Sequence, residues 1–274
     1  MPLPKSEWKY DLISTIFPSK FLKREVRIDY YLPSQYAKNT GVLFMLDGQD
    51  AELLQLKDTL QHLTQLKKIK PIIVIAIHAN KNRLQEYGVA GKADYLKRGN
   101  KAKQFSKFIL DELIAQCSSF TGIEFTPSKT AIAGFSLSGL TAFDLAWNHN
   151  AVFETAGVFS GSFWWRKKSY EDGYTDDDRI MHQVIRKSKS APSIKCWIQT
   201  GTKDETADRN KNGVIDSIDD ARDLIVEMKQ KGVPSKNIQY VEIPEGQHNQ
   251  VTWSAALPLF LCWAFGNKRK VDIY

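Results

Sequence analysis

Thr130-Ala-Ile-Ala-Gly-Phe-Ser-Leu-Ser-Gly-Leu-Thr-Ala-Phe-Asp-Leu-Ala-Trp147 carries two periodicities that meet at one serine. Thr130 to Ala133 is a short apolar run of strand character. From Leu137 onward, apolar residues recur at helical spacing (Leu137, Leu140, Phe143, Leu145, Ala146). The spacing predicts a strand, a sharp turn and a helix, with Ser136 at the apex. A turn this tight strains its apex residue, so the positions two residues away on either side must be small. Gly134 meets that demand on one side and Ser138 on the other, giving G-x-S-x-S-G in place of G-x-S-x-G. Ser138 itself is a poor nucleophile, because its own flanking positions are Ser136 and Leu140. A helix opening at Leu137 aims backbone N–H groups that lack intrahelical partners at an oxyanion above Ser136.

Outward from this stretch the chain repeats strand and helix patterns. Val26, Ile28, Tyr30 and Leu32 alternate with Arg27 and Asp29, as suits an antiparallel strand near a sheet edge. Val42 to Leu46 and Ile72 to Ile77 are continuous apolar runs, expected of strands covered on both faces. Ala156 to Phe159, Ile194 to Thr200 and Ile238 to Ile243 complete the strand series, and an amphipathic helix is expected around Phe105, Phe108, Ile109 and Leu113. Strands alternating with helices predict an α/β fold with a mostly parallel twisted central sheet and helices on both faces. Ligands of such sheets bind outside the carboxyl ends of the strands, so chemistry should come from residues just after strands.

The chain has 274 residues, 42% of them hydrophobic, and no linker-like tract or internal repeat, so residues 1–274 are expected to form a single domain. Its net charge is +7, but lysines such as Lys67, Lys68, Lys97 and Lys167 are spread out and not interleaved with aromatics. That is the pattern of a solvated basic surface, not of a nucleic-acid partner. Cys117, Cys196 and Cys262 are distant and odd in number, as expected of buried thiols. The N-terminal residues lack the apolar core of a signal peptide, and no apolar run is long enough for a membrane span. The expectation is a cytoplasmic protein without a membrane partner.

A nucleophilic serine needs a general base and a carboxylate that orients it. Of the five histidines, His62, His149 and His182 fall in predicted helices, and His78 precedes Ser136. His248 follows the last strand and precedes the final helix, where a base belongs in the chain order Ser, Asp or Glu, His. Asp204 follows the Ile194–Thr200 strand, and Glu205 beside it is the alternative acid.

With these segments in place, the sequence resembles the Putative esterase family, which includes enterochelin esterases, feruloyl esterase domains and S-formylglutathione hydrolases. Leu46-Asp-Gly-Gln49, Ala133-Gly-Phe-Ser-Leu-Ser-Gly139, Ser160-Gly-Ser-Phe-Trp-Trp165, Gly201-Thr-Lys-Asp204 and Gly246-Gln-His248 carry the resemblance. It implies an α/β-hydrolase fold without a large lid. It also implies Ser136 as nucleophile, Asp204 as acid and His248 as base, with the backbone N–H of Leu137 and the Gly48-Gln49 loop as oxyanion donors. Trp164 would then stand near the acyl or leaving-group pocket, or pack the core below it. Arg83, the tryptophans and the positive charge lean toward an anionic or aromatic substrate.

Asp208-Arg-Asn-Lys-Asn-Gly-Val-Ile-Asp-Ser-Ile-Asp219 has the spacing of an EF-hand loop. Asp208, Asn210 and Asn212 hold positions one, three and five, Gly213 the turn at six, Val214 the carbonyl at seven, Asp216 position nine and Asp219 position twelve. A structural Ca²⁺ that steadies the turn after Asp204 is expected, and no organic cofactor. The reaction expected is hydrolysis of a small-molecule carboxylic ester through an acyl-enzyme. The alternatives are an acyltransferase of the same fold, or a non-catalytic, calcium-dependent module that binds sugars or aromatics on Trp164 and Trp165. Oligomeric state is not legible in the sequence.

Overall fold

The computed structural model describes residues 8–266, so most of the segment read for a leader lies outside the described residues. Eight strands form one sheet in the order β1-β2-β4-β3-β5-β6-β7-β8. β1 (Tyr10–Ser19) and β2 (Arg24–Pro33) make an antiparallel hairpin at one edge, and β2 runs antiparallel to β4 (Ile72–Ile77). β3 (Gly41–Leu46), β5 (Thr130–Phe135), β6 (Thr155–Phe159), β7 (Lys195–Lys203) and β8 (Ile238–Gln247) continue the sheet in parallel with β4. The helices, in chain order, are α1 (Leu56–Gln65), α2 (Arg83–Glu86), α3 (Ala102–Lys107), α4 (Ile114–Thr121), α5 (Leu137–Asn148), α6 (Ile180–Lys187), α7 (Asp216–Lys231) and α8 (Gln250–Phe265).

The continuous apolar strands are explained by cover on both faces. Val42, Phe44 and Leu46 of β3, with Ile73, Ile75 and Ile77 of β4, pack in one core with Phe105, Cys117, Phe143, Ile185 and Leu224 from α3 to α7. Leu43 and Met45, with Ile72 and Val74, pack in the other with Leu60 of α1 and Phe260 of α8. Side chains alternate across a strand, so every residue of such a run is buried.

The sequence reading misses β1, whose Leu12, Ile13 and Ile16 are 47%, 40% and 58% exposed. An edge strand with apolar residues exposed on both faces, as adjacent Leu12 and Ile13 are, carries no period-two signal. The helix expected around Phe105 to Leu113 is α3, then one π-helical stretch (Phe108–Leu113), then α4. The connection between β6 and β7, residues 160–194, holds α6 and no inserted lid domain.

The parallel strands all end at one rim, and the register delivers chemistry there. Asp47, His78, Ser136, Ser160, Asp204 and His248 are each the first residue after β3, β4, β5, β6, β7 and β8. This is the side of an open α/β sheet where ligands bind.

Candidate active site

Ser136 stands between β5 and α5 at φ 56° and ψ −118°, a strained conformation for a residue with a Cβ. The strain is held by neighbours. The Ser136 N–H donates to Phe159 O at 2.8 Å, and Ser136 O accepts from Ser162 N–H at 3.1 Å. The turn after β6 thus grips both backbone groups of the serine, and Ser162 Oγ lies 3.4 Å from Ser136 Oγ. Gly134 is required because a Cβ there would collide with the Ser138 carbonyl and stand 2.8 Å from Ser138 Oγ. Leu137 is the first residue of α5, so its N–H has no partner inside the helix and faces the apex of the turn.

Ser138 is accommodated because its hydroxyl has partners. It accepts from Phe135 N–H at 2.7 Å, and it lies 2.7 Å from Asp47 Oδ2 and 2.8 Å from Phe135 O, either of which can take its proton. Asp47 is almost fully buried, and Arg83 donates to it through Nε at 2.8 Å and Nη2 at 2.6 Å. Gln49 Nε2 donates to Asp47 Oδ1 at 3.1 Å while Gln49 Oε1 accepts from Ala79 N–H at 2.9 Å. A bidentate guanidinium and two further donors satisfy a carboxylate that would otherwise be costly to bury. The network ties the Gly48-Gln49 turn to the elbow. Arg83, read above as leaning toward an anionic or aromatic substrate, directs its guanidinium instead to Asp47 and to Phe135 O at 3.2 Å. The sequence reading missed Asp47 and Ser162; the signal available was a polar residue at or near the end of an apolar strand.

Asp204 and His248 come together at the ends of β7 and β8. His248 Nδ1 is 3.8 Å from Asp204 Oδ2, and the imidazole is 39% exposed while the carboxylate is 1% exposed. Neither Asp204 oxygen has a hydrogen-bond partner among the described residues. Glu205, the alternative acid, turns toward the start of α7, where burial raises its carboxyl and a hydrogen bond from Ser217 opposes the rise. The close approach of the Asp204 and His248 turns depends on glycines. A Cβ on Gly201 would collide with Gly246 O and stand 2.6 Å from Asp204 Oδ1, and one on Gly246 would stand 2.8 Å from the Thr252 methyl.

The two tryptophans divide. Trp165 is fully buried, its Nε1 donating to Lys92 O at 3.3 Å. Trp164 is partly exposed, with the Arg98 guanidinium 5.2 Å from its ring. His78 pairs with buried Asp29 at 2.7 Å, and His182 is buried against Asp220 O, so neither competes as the base.

In the 208–219 loop, Asp208 accepts from the Asn212 and Gly213 N–H groups at 3.1 and 2.9 Å, and Gly213 takes φ 83°. Asp219 Oδ2 accepts from the amides of Asn210 and Asn212 at 3.0 and 2.7 Å. Asp216, expected at position nine, does not join them. Its carboxylate accepts from the Arg209 N–H at 2.9 Å and meets the Arg209 guanidinium at 3.3 Å, because Arg209 lies between it and Asp220. Among the described residues no three His, Cys, Asp or Glu side chains gather closely enough to hold a metal by themselves.

A strained serine on a strand-to-helix elbow, with a histidine and a carboxylate after the last two strands of a mostly parallel sheet, defines an α/β-hydrolase. Residues 19–263 match the Putative esterase family, and the chain belongs to it. It is a carboxylic ester hydrolase. Solved structures with the same fold include a ferulic acid esterase, 17% identical at a TM-score of 0.71 over 94% of this chain and 98% of that one. The enterobactin esterase FES of Shigella flexneri is 17% identical at a TM-score of 0.75 over 93% of this chain. This chain covers only 58% of that protein's length. An IroE-like serine hydrolase from Shewanella oneidensis is 18% identical at 0.68, over 93% and 80% of the two chains. No curated protein matches the chain by sequence. Among the described residues no helix is long and apolar enough to cross a membrane.

Proposed function

We propose that the chain hydrolyses small-molecule carboxylic esters through an acyl-enzyme on Ser136, with His248 as general base and Asp204 as the carboxylate that orients it. The observation that carries this reading is the strained Ser136 at the β5–α5 elbow, gripped by the β6 turn, on the rim where Asp204 meets His248. His248 takes the Ser136 proton as Oγ attacks the ester carbonyl. The backbone N–H groups of Leu137 and Gln49 stabilise the resulting oxyanion. The imidazolium returns the proton to the departing alcohol, and water then releases the acid by the same steps. Trp164, partly exposed on the turn after β6, favours an acyl group that is aromatic.

The 208–219 loop is proposed as a structural Ca²⁺ site held by Asp208, Asn210, Asn212, the Val214 carbonyl and Asp219, with Asp216 kept by Arg209 at its edge. Two carboxylates with neutral oxygen donors suit a hard cation. Bound there, the ion would steady the turn that follows Asp204. Calorimetric titration with CaCl₂ and thermal unfolding with and without chelator test this; absence of binding heat together with an unchanged unfolding temperature rejects it.

The catalytic reading is tested by intact mass after exposure to a fluorophosphonate, with peptide mapping, and by hydrolysis of an ester panel of varied acyl groups. One adduct on Ser136, lost in His248→Ala, is expected. A folded protein that neither labels nor hydrolyses any ester of the panel rejects it.

A further inference from the structure

His248 is held loosely by the acid, at 3.8 Å, yet a base must stand at a fixed place to take a proton from Ser136. Another element of the fold supplies that constraint. The Trp253 ring of α8 stands edge-on to the His248 imidazole, with centroids 5.3 Å apart and planes at 79°. The same ring packs on Phe135, the residue before the nucleophile, at 5.3 Å. Trp253 is therefore wedged between the base and the elbow. Its free torsion is removed by one hydrogen bond: Nε1 donates to Ser160 Oγ at 2.9 Å, with both residues buried.

Ser160 is itself pinned. It takes φ 46° immediately after β6, and its N–H donates to Gln199 O at 2.8 Å. Two residues on, Ser162 contacts Ser136 through backbone and side chain. One turn, Ser160-Gly161-Ser162, thus holds the nucleophile at one end and the wedge behind the base at the other. Gly161 leaves no room for a side chain, since a Cβ would stand 2.5 Å from a Val158 methyl.

We propose that Trp253, locked by Ser160, is a positioning residue that sets the spacing of His248 from Ser136. The proposal rests on His248 being the base. An indole fixed at one end by its N–H and packed on the base and on the residue before Ser136 limits the imidazole to few orientations, and that limits the entropy to be lost on reaching the reactive geometry. Truncating the lock leaves the triad residues intact and frees the wedge.

Two variants and two readouts test it. Ser160→Ala removes the acceptor and keeps the indole; Trp253→Phe keeps a ring and removes the donor. Each should lower kcat roughly three- to tenfold with KM unchanged, the effect of one hydrogen bond. The double variant should be no slower than the slower single one, because both changes break the same bond. In protein carrying ¹³C-labelled histidine, the His248 ring signal, assigned by its loss in His248→Gln, should move toward the free-imidazole position in Ser160→Ala. Retention of the wild-type signal and kcat in Ser160→Ala overturns the proposal, and so do effects that multiply in the double variant. If Trp253→Phe does not fold, Ser160→Ala decides alone. The ring signal reads positioning whether or not any ester is turned over, so this proposal and the esterase mechanism fail separately.

Discussion

Ser138 Oγ lies 2.7 Å from Asp47 Oδ2, joining the nucleophile elbow to the turn that carries Gln49. The position where the sequence departs from G-x-S-x-G is thus a point of attachment. The hydroxyl replaces a glycine's missing side chain with a bond to a buried carboxylate that also holds Arg83. Serine fits there because its one polar atom is short enough to bond Phe135 and Asp47 together.

Ser138→Ala should therefore weaken two functions at once. Asp47 keeps Arg83 and Gln49, so the loss in unfolding free energy should be about 1–2 kcal/mol. The Gln49 turn loses its direct tie to the elbow and keeps only the bridge through Arg83, and kcat should fall by up to about tenfold, the size of one such bond acting on the proposed oxyanion donors. Chemical denaturation and ester hydrolysis measure the two; full activity at reduced stability would mean that the tie is structural only.

Gly201→Ala should separate Asp204 from His248. The new methyl collides with the Gly246 carbonyl, which is backbone and cannot swing aside, and it also crowds Asp204 Oδ1. Overpacking of this kind costs about 1–3 kcal/mol, and the relief must come from spreading the β7 and β8 ends. Loss of fluorophosphonate labelling at a temperature where the variant is still folded is the expected result.

Asp204→Asn and Glu205→Gln should differ sharply. The first removes the carboxylate facing His248 and should reduce kcat roughly 10⁴-fold, as loss of the orienting acid does in such triads. The second changes a group hydrogen-bonded to Ser217, and should leave kcat within about threefold while shifting stability by less than about 1 kcal/mol. The reverse ranking would assign the acid to Glu205.

Asp144 of α5 gives a pH dependence unrelated to catalysis. Burial pushes its carboxyl up to about 6, against the opposing hydrogen bonds from Ala90 N–H and the Asn148 amide. A raised carboxyl favours the protonated folded state, so this stabilisation is complete below about pH 3.8 and is lost as pH rises through about 6. Asp144→Asn keeps an acceptor for Ala90 and carries no charge. Between pH 4 and 8 it should gain up to about 3 kcal/mol relative to wild type, read from paired thermal unfolding curves. A constant difference across that range would mean that Asp144 titrates normally.

Much of this arrangement is legible in the chain. The β3 and β4 runs read as doubly covered strands because nothing polar interrupts Val42 to Leu46 or Ile72 to Ile77, and they are buried throughout. The elbow reads as an elbow because its periodicity changes at Ser136. Asp204 and His248 could be picked out by one topological rule, that chemistry follows strand ends. β1 was not legible, since its exposed Leu12, Ile13 and Ile16 obey no alternation.

Local sequence by itself determined the strand and helix periods and the small residues that permit the Ser136 turn, because each is fixed by neighbours within a few positions. Only the tertiary structure decided which side chains meet. Arg83 is 36 positions from Asp47, Ser138 is 91, and Trp253 is 93 from Ser160. Such pairings leave no local period; they arise when parallel strands end at one rim and bring distant first residues into contact. The choice between Asp204 and Glu205 falls in the same class, since adjacent residues on a strand end point opposite ways, and the direction that faces His248 is set by the β7–β8 register.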